Sequence, residues 1–277
     1  MDILKSIKRK VKKSRILFAI YLLQRAIRQI KIDFTPIREF RISLKGGQDL
    51  GSENYRFYSN IKKILYYENN DKKLHFIDVG ANDGWFARII LRFFHNARIT
   101  SFEPLKSQHI FLENLSKENS NFKFHPVALG QIDESRIITE YKTTGLSTLK
   151  SIDSKYNYND KHFSQEILDT YPVPVFRLDN FLSKSLKNDE INILKIDTQG
   201  FELEVLKGSI ALINQHKIKY IIVELMTISK YSEASLYDEV LDFLHIHGFK
   251  LQDFHQSYYE ENTGLLSEFD AIFKKVS

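Results

Sequence analysis

The sequence predicts an α/β protein built on a mostly parallel β-sheet. After residue 70, short apolar runs alternate with helical patterns, which is typical of strand–helix–strand units. In the clearest unit, an apolar strand at 74–79 ends in a glycine-containing loop, and a helical pattern follows at once. A second apolar run, 98–102, ends in the acid Glu103. A glycine loop after one strand and an acid after the next indicate a nucleoside site at the edge of the sheet.

The remaining elements follow the same alternation. Helices are predicted at 85–95, 107–117, 201–206 and 236–245, and further strands at 122–126, 191–196, 219–223, 249–254 and 269–273. Gly208 is expected to close the third of these helices. A long polar loop that holds Tyr258, Tyr259 and Gly264 is expected to join the last two strands.

The alternation breaks between residues 129 and 171. An alternating stretch at 136–142 and the run Gly145-Leu146-Ser147-Thr148-Leu149 predict an inserted hairpin and loop within residues 129–150. The polar residues 151–171 that follow are either a lid over a pocket or a surface excursion.

The composition fits one large domain with a basic extension. The chain has 277 residues, 43% of them hydrophobic, and no cysteine, so neither disulfides nor thiolate metal sites can form. The net charge of +5 is unevenly spread: residues 1–31 hold ten Lys or Arg and one acid, which leaves the rest of the chain net negative. A net negative domain lacks the extended basic surface that binds the phosphates of nucleic acid, so nucleic acid is not an expected partner.

The basic N-terminal segment carries a helical apolar stripe, formed by Ile16, Ile20, Leu23, Ile27 and Ile30. Its apolar run is too short to span a bilayer, and the basic residues that follow lack a signal cleavage pattern. We expect an amphipathic helical extension at 1–50. Residues 1–32 are then either docked on the domain or in peripheral contact with anionic membrane or a partner protein. The expected location is the cytoplasm or the inner face of its membrane.

The glycine spacing bears on the choice of cofactor. A pyrophosphate loop takes the form Gly-x-Gly-x-x-Gly, whereas residues 80–84 read Gly-Ala-Asn-Asp-Gly. Asp78 and Asp83 around this turn repel a diphosphate and suit a cationic ligand. S-adenosylmethionine carries an ammonium, a sulfonium and a ribose but no phosphate, and Glu103 is placed to accept hydrogen bonds from ribose hydroxyls. The alternative is that the loop is ordinary turn chemistry.

Ligands of an open parallel sheet collect at the carboxyl ends of its strands. The residues predicted to lie there are 78–84, Glu103 and Pro104, 125–128, Lys195, 197–199 and Glu224. Each of three has a structural alternative. Asp197 is also suited to cap a helix, and His125 to pack in the core. Lys195 is also suited to form an ion pair with Glu224. No dedicated metal site is predicted, although a divalent ion on Asp197, Glu202 and Glu224 is a weaker alternative.

With these residues assembled, the chain resembles the FkbM-type methyltransferases of the class I S-adenosylmethionine-dependent group. The matching motifs are, in order, Ile77-Asp78-Val79-Gly80-Ala81-Asn82-Asp83-Gly84, Phe102-Glu103-Pro104, Val127-Ala128-Leu129-Gly130, Gly145-Leu146-Ser147-Thr148-Leu149, Arg177-Leu178-Asp179, Leu194-Lys195-Ile196-Asp197-Thr198-Gln199-Gly200-Phe201-Glu202 and Val223-Glu224. The resemblance covers residues 74–275, within a predicted catalytic domain at 51–277, and leaves the basic extension outside.

The resemblance implies a Rossmann-like fold, with a seven-stranded, mostly parallel sheet, helices on both faces and an antiparallel last strand. It places Asp197 beside the reactive methyl group, and Gln199 where many relatives have an acid. The implied cofactor site consists of Asp78, Gly80, Asn82 and Gly84 around the methionine part, Glu103 and Pro104 at the ribose, and His125, Val127 and Ala128 at the adenine.

The implied reaction moves a methyl group from S-adenosylmethionine to an oxygen of a glycan or secondary-metabolite acceptor by in-line displacement. A hydroxyl is a poor nucleophile at neutral pH, so removal of its proton helps. Asp197 is the expected base or substrate-orienting group, and Glu224 is the alternative base. Lys195 is expected to orient an acidic substrate group or to fix Asp197. Two other classes stay open: a nicotinamide-dependent dehydrogenase, and a non-catalytic cofactor-binding scaffold that acts through the basic extension.

Overall fold

The centre of the fold is a seven-stranded β-sheet, seen in a computed structural model of the chain. The structure describes residues 73–154, 156, 164–183, 189–260 and 263–276, together with residues 59, 61, 62, 64 and 65. The predicted extension 1–50 and its boundary with the domain lie outside these residues. Within the described part of the chain, no helix has both the length and the apolar character needed to cross a membrane.

The strand order of this large sheet is β3-β2-β1-β7-β8-β10-β9. Its parallel members are β1 (Leu74–Val79), β2 (Ala97–Phe102), β3 (Phe122–His125), β7 (Ile191–Ile196) and β8 (Ile218–Met226). The last strand, β10 (Leu266–Lys275), runs antiparallel to both of its neighbours, β8 and β9 (Phe249–Tyr259). The predicted seven-stranded, mostly parallel sheet with an antiparallel last strand is therefore confirmed.

The central strands are apolar because both of their faces are covered. Every residue of β7 is buried, and so is every residue of β1 after Leu74. Since successive side chains of a strand point to opposite faces, continuous burial requires packing on both sides of the sheet. The strand order reverses between β1 and β7, so the switch point where such sheets bind ligands lies at the carboxyl ends of these two strands.

Between residues 85 and 246 the chain forms the helices α1 (Trp85–Phe93), α2 (Lys106–Glu118), α3 (Leu178–Leu182), α4 (Glu202–Gly208), α5 (Ile210–Asn214) and α6 (Tyr237–Ile246). In α1, Phe86, Ala87, Ile89 and Ile90 are buried, which is one face of a helix. The four predicted helices are confirmed as α1, α2, α4 and α6. The short helices α3 and α5 are absent from the prediction, because five residues are too few to reveal a helical period.

A second, three-stranded sheet corrects the prediction for residues 129–171. It contains β4 (Ala128–Leu129), β5 (Glu134–Tyr141) and β6 (Ile167–Phe176), in the order β4-β6-β5. The hairpin therefore closes with β6, which begins within the segment expected to be a lid or a surface excursion. In β6, Tyr171, Val173 and Val175 are buried and the residues between them are exposed, which is the alternation of a half-buried strand.

Two smaller predictions are also corrected. Gly208 is the last residue of α4 but does not end it in a left-handed cap. A glycine is required there because a β-carbon would lie 2.0 Å from the carbonyl oxygen of Gly130. Tyr258 and Tyr259 belong to β9 rather than to a long loop, since pairing with β10 continues as far as Tyr259 and Leu266.

Candidate functional site

A cleft opens to solvent at the carboxyl edge of the large sheet. Gly80 after β1 and Asp197 after β7 both line it. Backbone hydrogen bonds join these strand ends. The Asp197 N–H donates to the carbonyl of Val79 at 3.1 Å, and the Gly80 N–H donates to the carbonyl of Phe102 at 3.0 Å. The cleft is therefore built at the switch point of the sheet.

The loop after β1 gives the cleft a wall of backbone and short polar side chains. Gly80 has a φ of 79° and Asn82 a φ of 47°, left-handed conformations that glycine and asparagine tolerate best. The N–H of Asn82 donates to Oε2 of Glu103 at 2.6 Å, which fixes the loop to the end of β2. Trp85, the first residue of α1, also lines the cleft.

Glu103 is the acidic group on the β2 side of the cleft. Its side chain is buried, and its Oε1 accepts a hydrogen bond from the N–H of Leu105 at 2.8 Å. Burial raises the pKa of Glu103 to about 7, against the opposing effect of the hydrogen bonds from Leu105 and Asn82. Each carboxylate oxygen keeps a second lone pair. The group can therefore still accept hydrogen bonds from the hydroxyls of a bound ribose.

Lys195 lies between two carboxylates at the end of β7. Its Nζ is 3.6 Å from Oδ1 of Asp78 and donates to Oδ2 of Asp197 at 3.2 Å. Burial lowers the pKa of Lys195, but the carboxylates of Asp197 and Asp78 outweigh burial and raise it above its ordinary value. Asp78 is fully buried and also accepts a hydrogen bond from the Ser101 hydroxyl at 3.1 Å. Lys195 is therefore a charged partner for both acids.

Gln199 connects Asp197 to a second carboxyl group. Its Nε2 donates to Oδ1 of Asp197 at 3.1 Å and to Oε2 of Glu224 at 3.0 Å. Its Oε1 accepts a hydrogen bond from the Tyr231 hydroxyl at 2.7 Å. Burial, and next the charge of Asp197, raise the pKa of Glu224 well above its ordinary value. Lys195, Asp197, Gln199 and Glu224 thus form one connected polar network.

A segment between two strands of the second sheet lines one side of the cleft. We call residues 144–153, between β5 and β6, the strap. The hydroxyl of Thr144 lies 3.3 Å from the side-chain amide of Asn82. The hydroxyl of Thr148 donates to the carbonyl of Gln199 at 2.7 Å, and the N–H of Asp153 donates to the carbonyl of Lys230 at 2.9 Å. The strap therefore contacts the loops after β1, β7 and β8.

Comparison with known proteins places the chain in a family. The family model for the Methyltransferase FkbM domain matches residues 78–251. The chain belongs to the FkbM methyltransferase family. Methyltransferase 1 of Beauveria bassiana (strain ARSEF 2860) is 32% identical to it over 144 residues, which cover 48% of this chain and 57% of that protein. The chain thus spans just over half the length of this fungal relative.

Solved structures resemble this FkbM-family chain at low sequence identity. Precorrin-6y C5,15-methyltransferase from Geobacter metallireducens GS-15 has a TM-score of 0.43 and 11% identity, over 83% of this chain and 93% of that chain. The N-terminal domain of human METTL16 in complex with SAH has a TM-score of 0.45 and 10% identity, over 83% of this chain and 73% of that chain.

The structure brings together part of the site predicted from the sequence. The predicted residues that line the cleft are Gly80, Asn82, Glu103, Pro104, Ala128 and Asp197. Asp78, Lys195 and Glu224 are buried in the sheet beside this lining. Their roles in catalysis and cofactor binding stay predictions.

Besides Asp78, three predicted cofactor residues lie outside the described lining of the cleft. A β-carbon at Gly84 would lie 2.9 Å from Cδ2 of Leu112, so this glycine serves the packing of α2 against α1. The ring of His125 stacks on that of Phe102 with the centroids 5.4 Å apart, which fits the packed-core alternative. Val127 is partly buried against the hydrophobic core.

The structure also bears on the alternatives for the acids. Asp197 does not cap α4, whose N-cap is Phe201; the Glu202 carboxylate accepts the N–H of Thr198 at 2.8 Å instead. Lys195 pairs with the aspartates on either side of it rather than with Glu224. In the part of the chain that the structure describes, no three His, Cys, Asp or Glu residues are grouped so that they could hold a metal ion.

Several cleft residues have no role predicted from the sequence, among them Trp85, Thr144 and Thr148. Trp85 directly follows the glycine loop at the amino end of α1, and this position in the sequence could have indicated that it lies at the cleft. Thr144 and Thr148 lie in the strap, and no local pattern reveals that the strap crosses the cleft. The sequence predicts that Gln199 lies at the end of a strand, in place of an acid, and the structure makes it the link between two carboxyl groups.

Proposed function

We propose that this protein transfers a methyl group from S-adenosylmethionine to a hydroxyl of a glycan or secondary-metabolite acceptor. One observation carries the proposal: a buried hydrogen-bond acceptor, Glu103, and a partly exposed carboxylate, Asp197, line the same cleft of an FkbM methyltransferase. The first suits the ribose of the cofactor, and the second suits the proton of an attacking hydroxyl.

The chemistry of the cleft fits a cationic cofactor. Among its described lining residues, the charged ones are Glu103 and Asp197, and neither Lys nor Arg is present. Two carboxylates favour an ammonium and a sulfonium and disfavour a diphosphate, which supports S-adenosylmethionine over a nicotinamide dinucleotide. When bound, S-adenosylmethionine supplies an electrophilic methyl group on a sulfonium.

The residues around Asp197 support its role in moving a proton. A hydroxyl attacks a methyl carbon more readily as its proton is removed, and Asp197 is partly exposed to the cleft, with 28% of its side chain accessible. Lys195 and Gln199 occupy one oxygen each and limit the rotation of the carboxylate. The oxygens keep lone pairs free to accept the proton of an acceptor hydroxyl.

The lining supports a polyhydroxylated acceptor. The hydroxyls of Thr144, Ser147 and Thr148 and the amide of Gln199 mix with the rings of Trp85 and Phe201. Alternating hydroxyl and C–H surfaces of sugars and related metabolites match such a mixture of polar groups and aromatic faces.

Two measurements test the proposed function. Calorimetry should show binding of S-adenosylhomocysteine and no binding of NAD. Methyl-labelled S-adenosylmethionine should then label members of a panel of oligosaccharides and hydroxylated small metabolites, with Asp197→Asn as the inactive control. Binding of NAD alone would favour a dehydrogenase. Binding of S-adenosylhomocysteine with no transfer to any hydroxyl compound would favour the scaffold.

A further inference from the structure

We propose that Gln199 is a positioning residue, which holds Asp197 toward the cleft as an anion by bridging it to the buried Glu224. The inference rests on the proposed function, because it concerns the group that would face the cationic centre of the cofactor. Its basis is the geometry of one side-chain amide and the hydrogen bonds that determine its orientation.

The amide of Gln199 matches its three partners in donors and acceptors. Its two N–H groups point at one oxygen each of Asp197 and Glu224, at 3.1 and 3.0 Å. Its carbonyl oxygen accepts the Tyr231 hydroxyl at 2.7 Å. In the flipped orientation the carbonyl oxygen would face two carboxyl groups, so the tyrosine hydroxyl and the acids select the same orientation.

The bridge separates two acids that would otherwise repel each other. Because one nitrogen touches both carboxyl groups, they lie close together, and Glu224 is buried. Two acids without a donor between them tend to share a proton, which removes one negative charge. An amide that donates to both carboxyl groups disfavours such sharing, and it does so beside the Lys195 ammonium, which donates to the other oxygen of Asp197. Besides Asp197, the acids near Glu224 are Asp270 and Glu268 on β10 and Glu202 on α4, and their charges add to the effect of burial in raising its pKa.

The backbone at Gln199 supports a functional reason for this residue. Its φ is 54°, in the left-handed region that is uncommon for residues other than glycine. Such a conformation persists where the surroundings over-determine it, as at many active sites. Here the Thr148 hydroxyl donates to the Gln199 carbonyl at 2.7 Å, so the strap holds the backbone while Tyr231 holds the side chain.

This amide joins Glu224 and Tyr231 to the cleft. Both are buried, and in the described part of the chain the lining of the cleft includes Asp197 and Gln199 but neither of them. Loss of the bridge should therefore change the charge that the cleft presents to a cation and leave the remaining cofactor contacts in place.

The test compares two probes that differ in charge. Sinefungin replaces the methyl-bearing sulfonium of S-adenosylmethionine with an amine-bearing carbon and is cationic there. S-adenosylhomocysteine has a neutral thioether at the same position. Calorimetry at several pH values should compare the wild-type chain with Gln199→Met, which keeps the length of the side chain but removes the amide. Gln215→Met makes the same change at an exposed position after α5 and serves as the matched control.

In Gln199→Met, the affinity for sinefungin should fall by about tenfold, whereas the affinity for S-adenosylhomocysteine should change by less than about twofold. The lost preference should return as the pH rises, because the shared proton then leaves the two acids. A purely structural role of Gln199 would weaken both probes alike at every pH. Gln215→Met should match the wild-type chain.

Tyr231→Phe is the second variant, because it removes only the hydroxyl that orients the amide. It should shift the ratio of the two affinities in the same direction by a smaller factor. The proposal would be overturned if Tyr231→Phe left the ratio of the two affinities unchanged and Gln199→Met either left it unchanged as well or failed to fold. Failure of the wild-type chain to bind S-adenosylhomocysteine would instead contradict the proposed function itself.

Discussion

The α-carbon of Gly80 packs directly against the backbone of Asp197. A β-carbon built on Gly80 would lie 1.8 Å from the carbonyl oxygen of Asp197 and 2.9 Å from its carbonyl carbon. The loop after β1 and the loop after β7 therefore meet at a distance that only glycine permits. This contact sets the width of the cleft between its predicted cofactor side and its predicted catalytic side.

Gly80→Ala should separate these two loops. The substitution places a β-carbon on a residue with a φ of 79° and against backbone that cannot rotate away. We expect a loss of at least about 2 kcal/mol in the free energy of unfolding and a loss of at least about tenfold in affinity for S-adenosylhomocysteine. Urea denaturation and calorimetry measure the two effects.

Gly145→Ala is the matched control for Gly80→Ala. Gly145 also lines the cleft, but a β-carbon there would have no atom within 4 Å. Its stability should therefore change by less than about 0.5 kcal/mol. If the two variants were equally stable, the close contact between the loops would not constrain the site.

Lys195→Met should destabilise the fold, because Asp78 would lose its cationic partner in the core. Asp78 is fully buried, and the Lys195 side chain is only 5% exposed. Removing one member of a buried ion pair typically costs about 3–5 kcal/mol. The double variant Asp78→Asn/Lys195→Met removes the stranded charge and should recover much of this loss in urea denaturation. Equal stability of the single and double variants would contradict the pairing.

The large sheet could be predicted from the sequence because its central strands are short apolar runs that end in glycine or acid. β1 and β7 were located with the correct ends. β6 could not be found in this way. Pro172 and Pro174 lack the N–H that a central strand normally donates, and they argue against a strand. Both prolines are accommodated because β4, the neighbour of β6 on the edge opposite β5, pairs only with Val175 and Phe176. In the described part of the chain, no strand therefore needs the missing N–H groups on that edge.

The site was predictable to the extent that it lies at strand ends. Glu103 and Asp197 follow β2 and β7 directly, so the rule for parallel sheets predicts that they lie near each other. The strap was not predictable, since its contacts with Asn82 and Gln199 join segments far apart in the chain. His125 shows the limit of the rule, because it also lies at a strand end but stacks its half-buried ring on Phe102 and is not among the described lining of the cleft.

The affinity for S-adenosylhomocysteine should rise as the pH increases through about 7, the pKa of Glu103 in the folded chain. Ribose hydroxyls donate to the ionised carboxylate, so cofactor binding favours loss of the Glu103 proton. Glu103→Gln should bind more weakly and show little dependence on pH between about 6 and 8. Calorimetry between about pH 6 and 8 measures this affinity for both chains. A wild-type affinity independent of pH would argue against Glu103 as the ribose acceptor.

The same group also links stability to pH. The pKa of Glu103 is raised from an ordinary value of 4.5 to about 7, so the folded chain holds a proton that the unfolded chain has released. This contribution to stability is fully present below about pH 4.5 and is lost as the pH rises through about 7. Glu103→Gln should flatten that part of the pH dependence of the unfolding free energy, as measured by urea denaturation.

Asp197→Asn should separate catalysis from cofactor binding. The amide keeps the size of the side chain but cannot take a proton, so methyl transfer to an acceptor found in the hydroxyl panel should fall by about 10²–10⁴-fold. Affinity for S-adenosylhomocysteine should stay within about threefold, because this probe has a neutral thioether in place of the sulfonium that the carboxylate would attract. Asp189→Asn makes the same change just before β7, where Asp189 forms an exposed ion pair with Arg98, and should leave transfer nearly unchanged. Near-normal transfer by Asp197→Asn would remove Asp197 from the reaction and leave Glu224 as the remaining candidate for the base.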